Sequence, residues 1–105
     1  MSRGLNVAIT VKVKLFATFR EMAGGKHEVN VKLPKEATII DLIEELPKTL
    51  GEEVKDALLD FKTGDLKPLN KILVNGCNVE LLQKLRTPLK DGDVVALFPP
   101  VGGGQ

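Results

Sequence analysis

The sequence predicts an α+β domain in which a helix packs on a mixed sheet of about four to five strands. Three features carry that expectation. Two stretches alternate strictly apolar and polar around a glycine pair, the period then changes to that of a helix, and a continuous apolar run stands near the C-terminus. The order hairpin, helix, strand, short helical turn, strand gives a two-layer arrangement with the helix on one face of the sheet.

In the first strand, Ile9, Val11, Val13, Leu15 and Ala17 alternate with Thr10, Lys12, Lys14 and Phe16. Gly24-Gly25 supplies the backbone freedom of a tight turn. His27, Val29, Val31 and Leu33 then alternate with Glu28, Asn30 and Lys32, completing an antiparallel hairpin. After Thr38, the residues Ile39, Leu42, Ile43 and Leu46 recur at helical spacing. The Thr38 hydroxyl suits the first free amides and Asp41 suits the first turn. Pro47 has no amide proton to donate and ends or kinks this helix. A second helical stretch, about 52–60, places Val54, Ala57, Leu58 and Phe61 on one face. Gly64-Asp65 and Pro68 interrupt it.

Ile72-Leu73-Val74 reads as a short strand closed by the turn pair Asn75-Gly76. Leu81, Leu82 and Leu85 suggest one helical turn, stopped near Pro88. Lys90-Asp91-Gly92-Asp93 is a further turn that launches Val94-Val95-Ala96-Leu97-Phe98, a run that fits a strand buried on both faces. The expected organisation is an N-terminal extension over 1–8, one folded domain over 9–98 and a flexible functional tail over 99–105.

With 105 residues, 43% of them hydrophobic and 28% charged, the chain can form one core without metals or disulfides. Fifteen basic residues against fourteen acidic ones leave a formal charge of +1, which argues against nucleic acid as the partner. Cys77 is the only cysteine and His27 the only histidine, so neither an intrachain disulfide nor a Cys/His zinc site can form. The apolar stretches are too short to span a membrane, and Met1-Ser2-Arg3-Gly4-Leu5-Asn6 has no apolar leader. The expectation is a cytoplasmic chain that contacts no membrane and binds no metal or cofactor.

The usual catalytic patterns are missing. Ser2 is the only serine, and the glycine run at 102–104 ends the chain instead of opening a helix. Cys77 with His27 is the one conceivable nucleophile–base pair, although nothing in the spacing brings them together. The tail is more informative. Phe98 is followed by Pro99-Pro100-Val101-Gly102-Gly103-Gly104-Gln105. Two prolines hold the backbone extended, and three glycines leave a tip with no side-chain bulk. Residues 99–104 extended reach about 20 Å. A stiff exit with a thin tip can thread a narrow channel into another protein's active site. Terminal glycines alone are a common feature of frayed ends; the apolar strand and two prolines before them set this tail apart.

Taken together, these segments resemble the small subunit of molybdopterin synthase, the MoaD-like family of ubiquitin-like sulfur carriers. The resemblance rests on Lys14-Leu15-Phe16-Ala17-Thr18-Phe19-Arg20-Glu21, on Ile72-Leu73-Val74-Asn75-Gly76, and on Thr87-Pro88-Leu89-Lys90-Asp91-Gly92-Asp93 leading through the apolar strand to Phe98-Pro99-Pro100-Val101 and glycines. It covers about residues 11–104 and implies the β-grasp, or ubiquitin-like, fold. It also implies that the Gly104 carboxylate, preceded by Gly103, is adenylated with ATP by a separate activating enzyme and converted to a thiocarboxylate. The chain then performs no independent catalysis. It donates sulfur as the small subunit of molybdopterin synthase, its tail entering the large subunit.

Partners are expected to bind Phe98, Pro99, Pro100, Val101 and Gly102, with Phe98 and Val101 as anchors; the plainer reading is that Phe98 completes the core. One departure stands out: Gln105 follows the diglycine, so activation at Gly104 requires its removal. The same tail chemistry serves thiamine synthesis, tRNA thiolation and conjugation to target-protein lysines, and these remain alternatives. A ubiquitin-like interaction domain with an inert tail is the alternative of another class, and Gln105 is its best support.

Overall fold

A computed structural model describes residues 8–100. Of the expected N-terminal extension over 1–8, residues 1–7 lie outside the described residues, as do Val101, Gly102, Gly103, Gly104 and Gln105, whereas Ala8 already belongs to the first strand.

The hairpin forms as expected. Strand β1 (Ala8–Leu15) pairs antiparallel with β2 (Glu28–Pro34) from Ala8 opposite Pro34 to Lys14 opposite Glu28. Alternation dictates the register, because a slip of one residue would turn Val11, Val13, Val29 and Val31 out of the core. The first strand is shorter than the alternation suggested. It stops at Leu15, and Ala17, with φ 54°, is exposed and leads into α1 (Thr18–Met22), which the sequence reading missed. Phe19 drives this turn of helix by entering the core, with Met22 and Ala23 packed beside it at helical spacing.

Helix α2 (Ile39–Glu45) crosses the sheet and buries Ile39, Leu42 and Ile43. Its start is fixed by Asp41, whose carboxylate accepts the Thr38 amide at 2.8 Å and the Thr38 hydroxyl at 3.1 Å. Pro47 opens a separate short helix, α3 (Pro47–Leu50), at the position where a missing amide proton costs nothing. The next helix, α4 (Glu53–Leu58), buries Val54 and Leu58. Phe61 does not continue that face: it is 87% exposed. The helix ends at Leu58, and Asp60 then folds the chain sharply, its carboxylate accepting the amides of Lys62 and Thr63.

The later strands are β3 (Lys71–Val74), β4 (Cys77–Asn78) and β5 (Val94–Phe98). The two-residue β4 was not anticipated; Asn75 (φ 51°) and Gly76 (φ 87°) make the tight turn that creates it. Instead of one helical turn, Val79–Leu81 and Lys84–Arg86 form two separate 3₁₀ turns, with Val79 buried and Leu81 80% exposed. The sheet order is β2-β1-β5-β3-β4. The final strand is thus the middle one, parallel to β1 and antiparallel to β3. With the helices on one side only, this is the β-grasp arrangement.

Two turns named in the sequence interlock to set β5 in place. The Asp93 carboxylate accepts the Asn75 side-chain amide at 2.9 Å and the Lys90 backbone amide at 2.8 Å. The Asn75 side-chain oxygen accepts the Val94 amide at 2.9 Å, while Asp91 accepts the Thr10 amide at 2.8 Å. These bonds hold the start of β5 against both neighbours, and the strand then delivers Phe98 to the far end of the sheet.

Candidate functional site

Strand β5 does not meet the expectation of burial on both faces. Val95 and Leu97 are fully buried against the helices, whereas Val94, Ala96 and Phe98 are half-buried on the other face. The physical reason is that no described element covers that side of the sheet. The same open face carries Thr10, Lys12 and Lys14 from β1, Glu28, Asn30 and Lys32 from β2, and Lys71 and Leu73 from β3, since their neighbours Val11, Val13, Val29, Val31, Ile72 and Val74 face the core.

Phe98 therefore does not complete the core; Leu97 does. The Phe98 ring lies on that of Phe16, with centroids 4.4 Å apart and planes 10° from parallel. The guanidinium of Arg20 sits over Phe16, 5.7 Å from its centroid, and its Nε donates to the Leu15 carbonyl at 3.3 Å. The short helix α1 is what brings Arg20 here. Pro99 is buried and Pro100 exposed, so the packed end of the described chain is Pro99. The exit is a fixed root: the end of the central strand, an aromatic pair and a locked proline.

Of the partner-binding residues expected from sequence, Phe98, Pro99 and Pro100 are together at this exit, and Val101 and Gly102 follow in the chain outside the described residues. Phe16 and Arg20 were not assigned a role by the sequence reading. A usable signal existed for Phe16, the one aromatic residue on the lysine-bearing side of the first strand's alternation. Arg20 had none without α1.

A Cys77–His27 pair is excluded by topology. Cys77 belongs to the edge strand β4 and His27 immediately precedes the opposite edge strand β2. Four interstrand steps separate those edges, about 19 Å at the usual spacing. An apolar hollow of about 640 Å³ lined by Ile9, Pro88 and Leu89 lies at the end of the sheet away from Phe98 and contains no nucleophile–base pair.

Comparison with known proteins agrees with this geometry. The model of the ThiS family matches residues 13–104. The small archaeal modifier protein 3 of Haloferax volcanii is 36% identical over 90% of this chain and 98% of its own length. The molybdopterin synthase sulfur carrier subunit of Drosophila yakuba is 32% identical over 91% of this chain and 92% of its own. Among solved structures, a putative molybdopterin converting factor, subunit 1, from Pyrococcus furiosus superposes with a TM-score of 0.68 at 41% identity, covering 89% of this chain and 99% of that one. A β-grasp sheet with one open face, a tail leaving from its central strand and a match over nearly the whole length make this chain a member of the ThiS family of ubiquitin-like sulfur carriers and modifiers.

Proposed function

We propose that this chain carries sulfur on Gly104 for molybdopterin synthesis, acting as the small subunit of molybdopterin synthase. The observation that carries the reading is the placement of the chain exit beside the half-buried aromatic pair Phe16 and Phe98. A partner that seats on this pair automatically receives the tail. Hydrolysis of the Gly104–Gln105 peptide bond first frees the Gly104 carboxylate; one of its oxygens then attacks the α-phosphorus of ATP within the activating enzyme, and pyrophosphate leaves. A sulfur nucleophile then attacks the acyl carbon and AMP leaves, so that one carboxylate oxygen is replaced by sulfur. The domain contributes docking and reach, and the activating enzyme and the large synthase subunit contribute the catalytic groups.

The modifier reading is the second one, supported by the relative named as a small archaeal modifier. There a lysine amine of a target protein takes the acyl group instead of sulfur. The two share the adenylation step and diverge at the nucleophile.

Gln105 sets the test. An extra residue moves the reacting carbon by up to about 3.6 Å, in a site where reacting atoms must come within about 3–3.5 Å. Chains ending at Gly104 and at Gln105 are each given ATP, the activating enzyme and sulfide, and their intact masses are measured. The Gly104 form should exchange one oxygen for sulfur readily and the Gln105 form far more slowly. Loading of neither form by an enzyme that binds both favours the inert interaction domain. Gly103→Val should block loading in either case, because a branched side chain then stands in the channel.

A further inference from the structure

We propose that the partner surface received by the open face has an apolar centre and a rim of carboxylates, and that Lys14 and Lys71, aided by Arg20, are the residues that select it. The inference deepens the carrier reading and rests on it.

The open face of the strands bears Lys12, Lys14, Lys32 and Lys71 against one carboxylate, Glu28; outside the strands Arg20 adds a cation at the exit and Asp91 a carboxylate at the opposite end, beside Thr10 and Lys12. The chain as a whole is only +1, so the rest of it is net acidic and the cations are concentrated on this side. Lys12 is held by Glu28 at 3.6 Å. Lys14, Lys32, Lys71 and Arg20 have no ion pair among the described residues.

Position sharpens the pattern. Lys14 lies beside Ala96 on one flank of β5, and Lys71 lies directly opposite Phe98 on the other. Arg20 covers Phe16. Half-buried Val94, Ala96, Phe98, Leu73 and Phe16 therefore form an apolar strip with ammonium groups along both sides, beginning at the residue where the tail departs.

A partner that covers this strip also dehydrates the flanking cations. A purely apolar surface would leave them unpaired, which is costly, and a basic one would be repelled. Carboxylates around an apolar centre satisfy both parts of the pattern and speed the encounter at low ionic strength. Nucleic acid would match the charge but not the geometry. The two rings already stack on each other, and the rest of the strip is aliphatic and offers bases no platform.

The test measures adenylation of the chain ending at Gly104 by the source organism's activating enzyme, as pyrophosphate release, over a series of sodium chloride concentrations. Three proteins are compared: the unaltered carrier, the double variant Lys14→Glu/Lys71→Glu, and Lys62→Glu in the exposed loop on the helix side as a charge control. Thermal melts confirm that each is folded. The expected result is a KM about tenfold or more higher for the double variant with kcat unchanged, and a control within about twofold of the unaltered protein. The KM of the unaltered carrier should also rise with salt more steeply than that of the double variant. Equal KM values for the double variant and the control, or a KM indifferent to salt, overturn the inference while leaving the carrier reading intact. No adenylation of the unaltered chain at any salt concentration overturns both. Binding of a uridine 20-mer that the double substitution abolishes, with KM unchanged, assigns the face to nucleic acid and overturns the protein partner.

Discussion

On the side of the sheet turned toward the helices, β5 presents Val95 and Leu97 and buries both completely; on the other side it presents Val94, Ala96 and Phe98 and leaves each half covered. The two faces share strands, backbone hydrogen bonds and register, yet they differ in burial, and the proposed function gives them separate tasks. The helix-side face collects Phe19, Ile39, Leu42, Ile43 and Leu46 into a continuous core, where each fully buried large apolar side chain contributes about 1.5–3 kcal/mol. The open face holds apolar groups at partial burial among lysines, an arrangement that adds little to folding and leaves contact area for a partner. Under the proposed function stability and recognition are divided across the sheet, and a substitution should report which side it belongs to.

The largest expected effect is on the core side. Leu42→Ala removes a fully buried side chain from the middle of α2 and should cost roughly 2–5 kcal/mol. Thermal unfolding should show a midpoint lower by at least about 8 °C. The kcat/KM for adenylation, corrected for the folded fraction, should stay unchanged. A change in KM of the folded carrier would show that the two faces are not independent.

Next comes the device that keeps the faces apart. The clamp between Asp93 and Asn75 fixes the register of β5, and a one-residue slip would exchange its two faces. Asp93→Ala leaves the Asn75 and Lys90 amides to water and should cost about 1–3 kcal/mol, the lower end being favoured because these bonds are solvent-accessible. Urea unfolding measures the loss, and amide exchange at Val94 should accelerate more than at Val13. Equal acceleration at both would mean that the clamp acts on overall stability and not on β5.

How much of this division the sequence disclosed follows from which residues speak locally. Strict alternation in Ile9–Leu15 and Val29–Leu33 disclosed the hairpin and its inner face, because the pleat leaves no other way to bury those residues. Thr38 and Asp41 marked the start of the main helix, and Asn75-Gly76 and Asp91-Gly92-Asp93 marked turns. That the two turns hold each other was hidden, since they are joined only by tertiary hydrogen bonds. The apolar run Val94–Phe98 misled for a related reason. Five consecutive apolar residues look the same whether both faces are covered or one is kept for a partner, and only the position of the helices distinguishes the cases. Phe61 misled because helical spacing continued one turn past the point where Asp60 folds the chain back.

Phe98→Ala separates the faces from the recognition side. The stacked pair with Phe16 contributes about 0.5–1.5 kcal/mol beyond its area, and the half-buried ring adds roughly 1 kcal/mol of burial, so a stability loss of about 2 kcal/mol is expected. The KM for adenylation should rise about tenfold or more, as for an aromatic anchor that a partner desolvates fully. A thermal shift as large as that of Leu42→Ala with unchanged KM would return Phe98 to the core.

The smallest expected effect tests where the folded domain ends and the presented chain begins. The strand stops at Phe98, but Pro99 is buried, so the boundary expected from sequence is displaced by one residue toward the tail. A chain ending at Pro99 should match the full-length protein within about 0.5 kcal/mol, because Pro100 is exposed and no core residue among the described ones lies beyond it. A chain ending at Phe98 also loses the burial of one proline ring, about 1 kcal/mol for a side chain of that size. Both truncations place a new carboxylate at the same end of the sheet, near Lys71 and Arg20, so the charge contribution is similar in the two and their difference isolates the ring. Denaturant midpoints measured side by side resolve a gap of this size when the slopes agree. Equal midpoints would move the boundary back to Phe98 and make the whole Pro99-Pro100 pair part of the presented tail. A gap of the predicted sign would make Pro99 the last residue of the core and leave Pro100 as the first one a partner can grip.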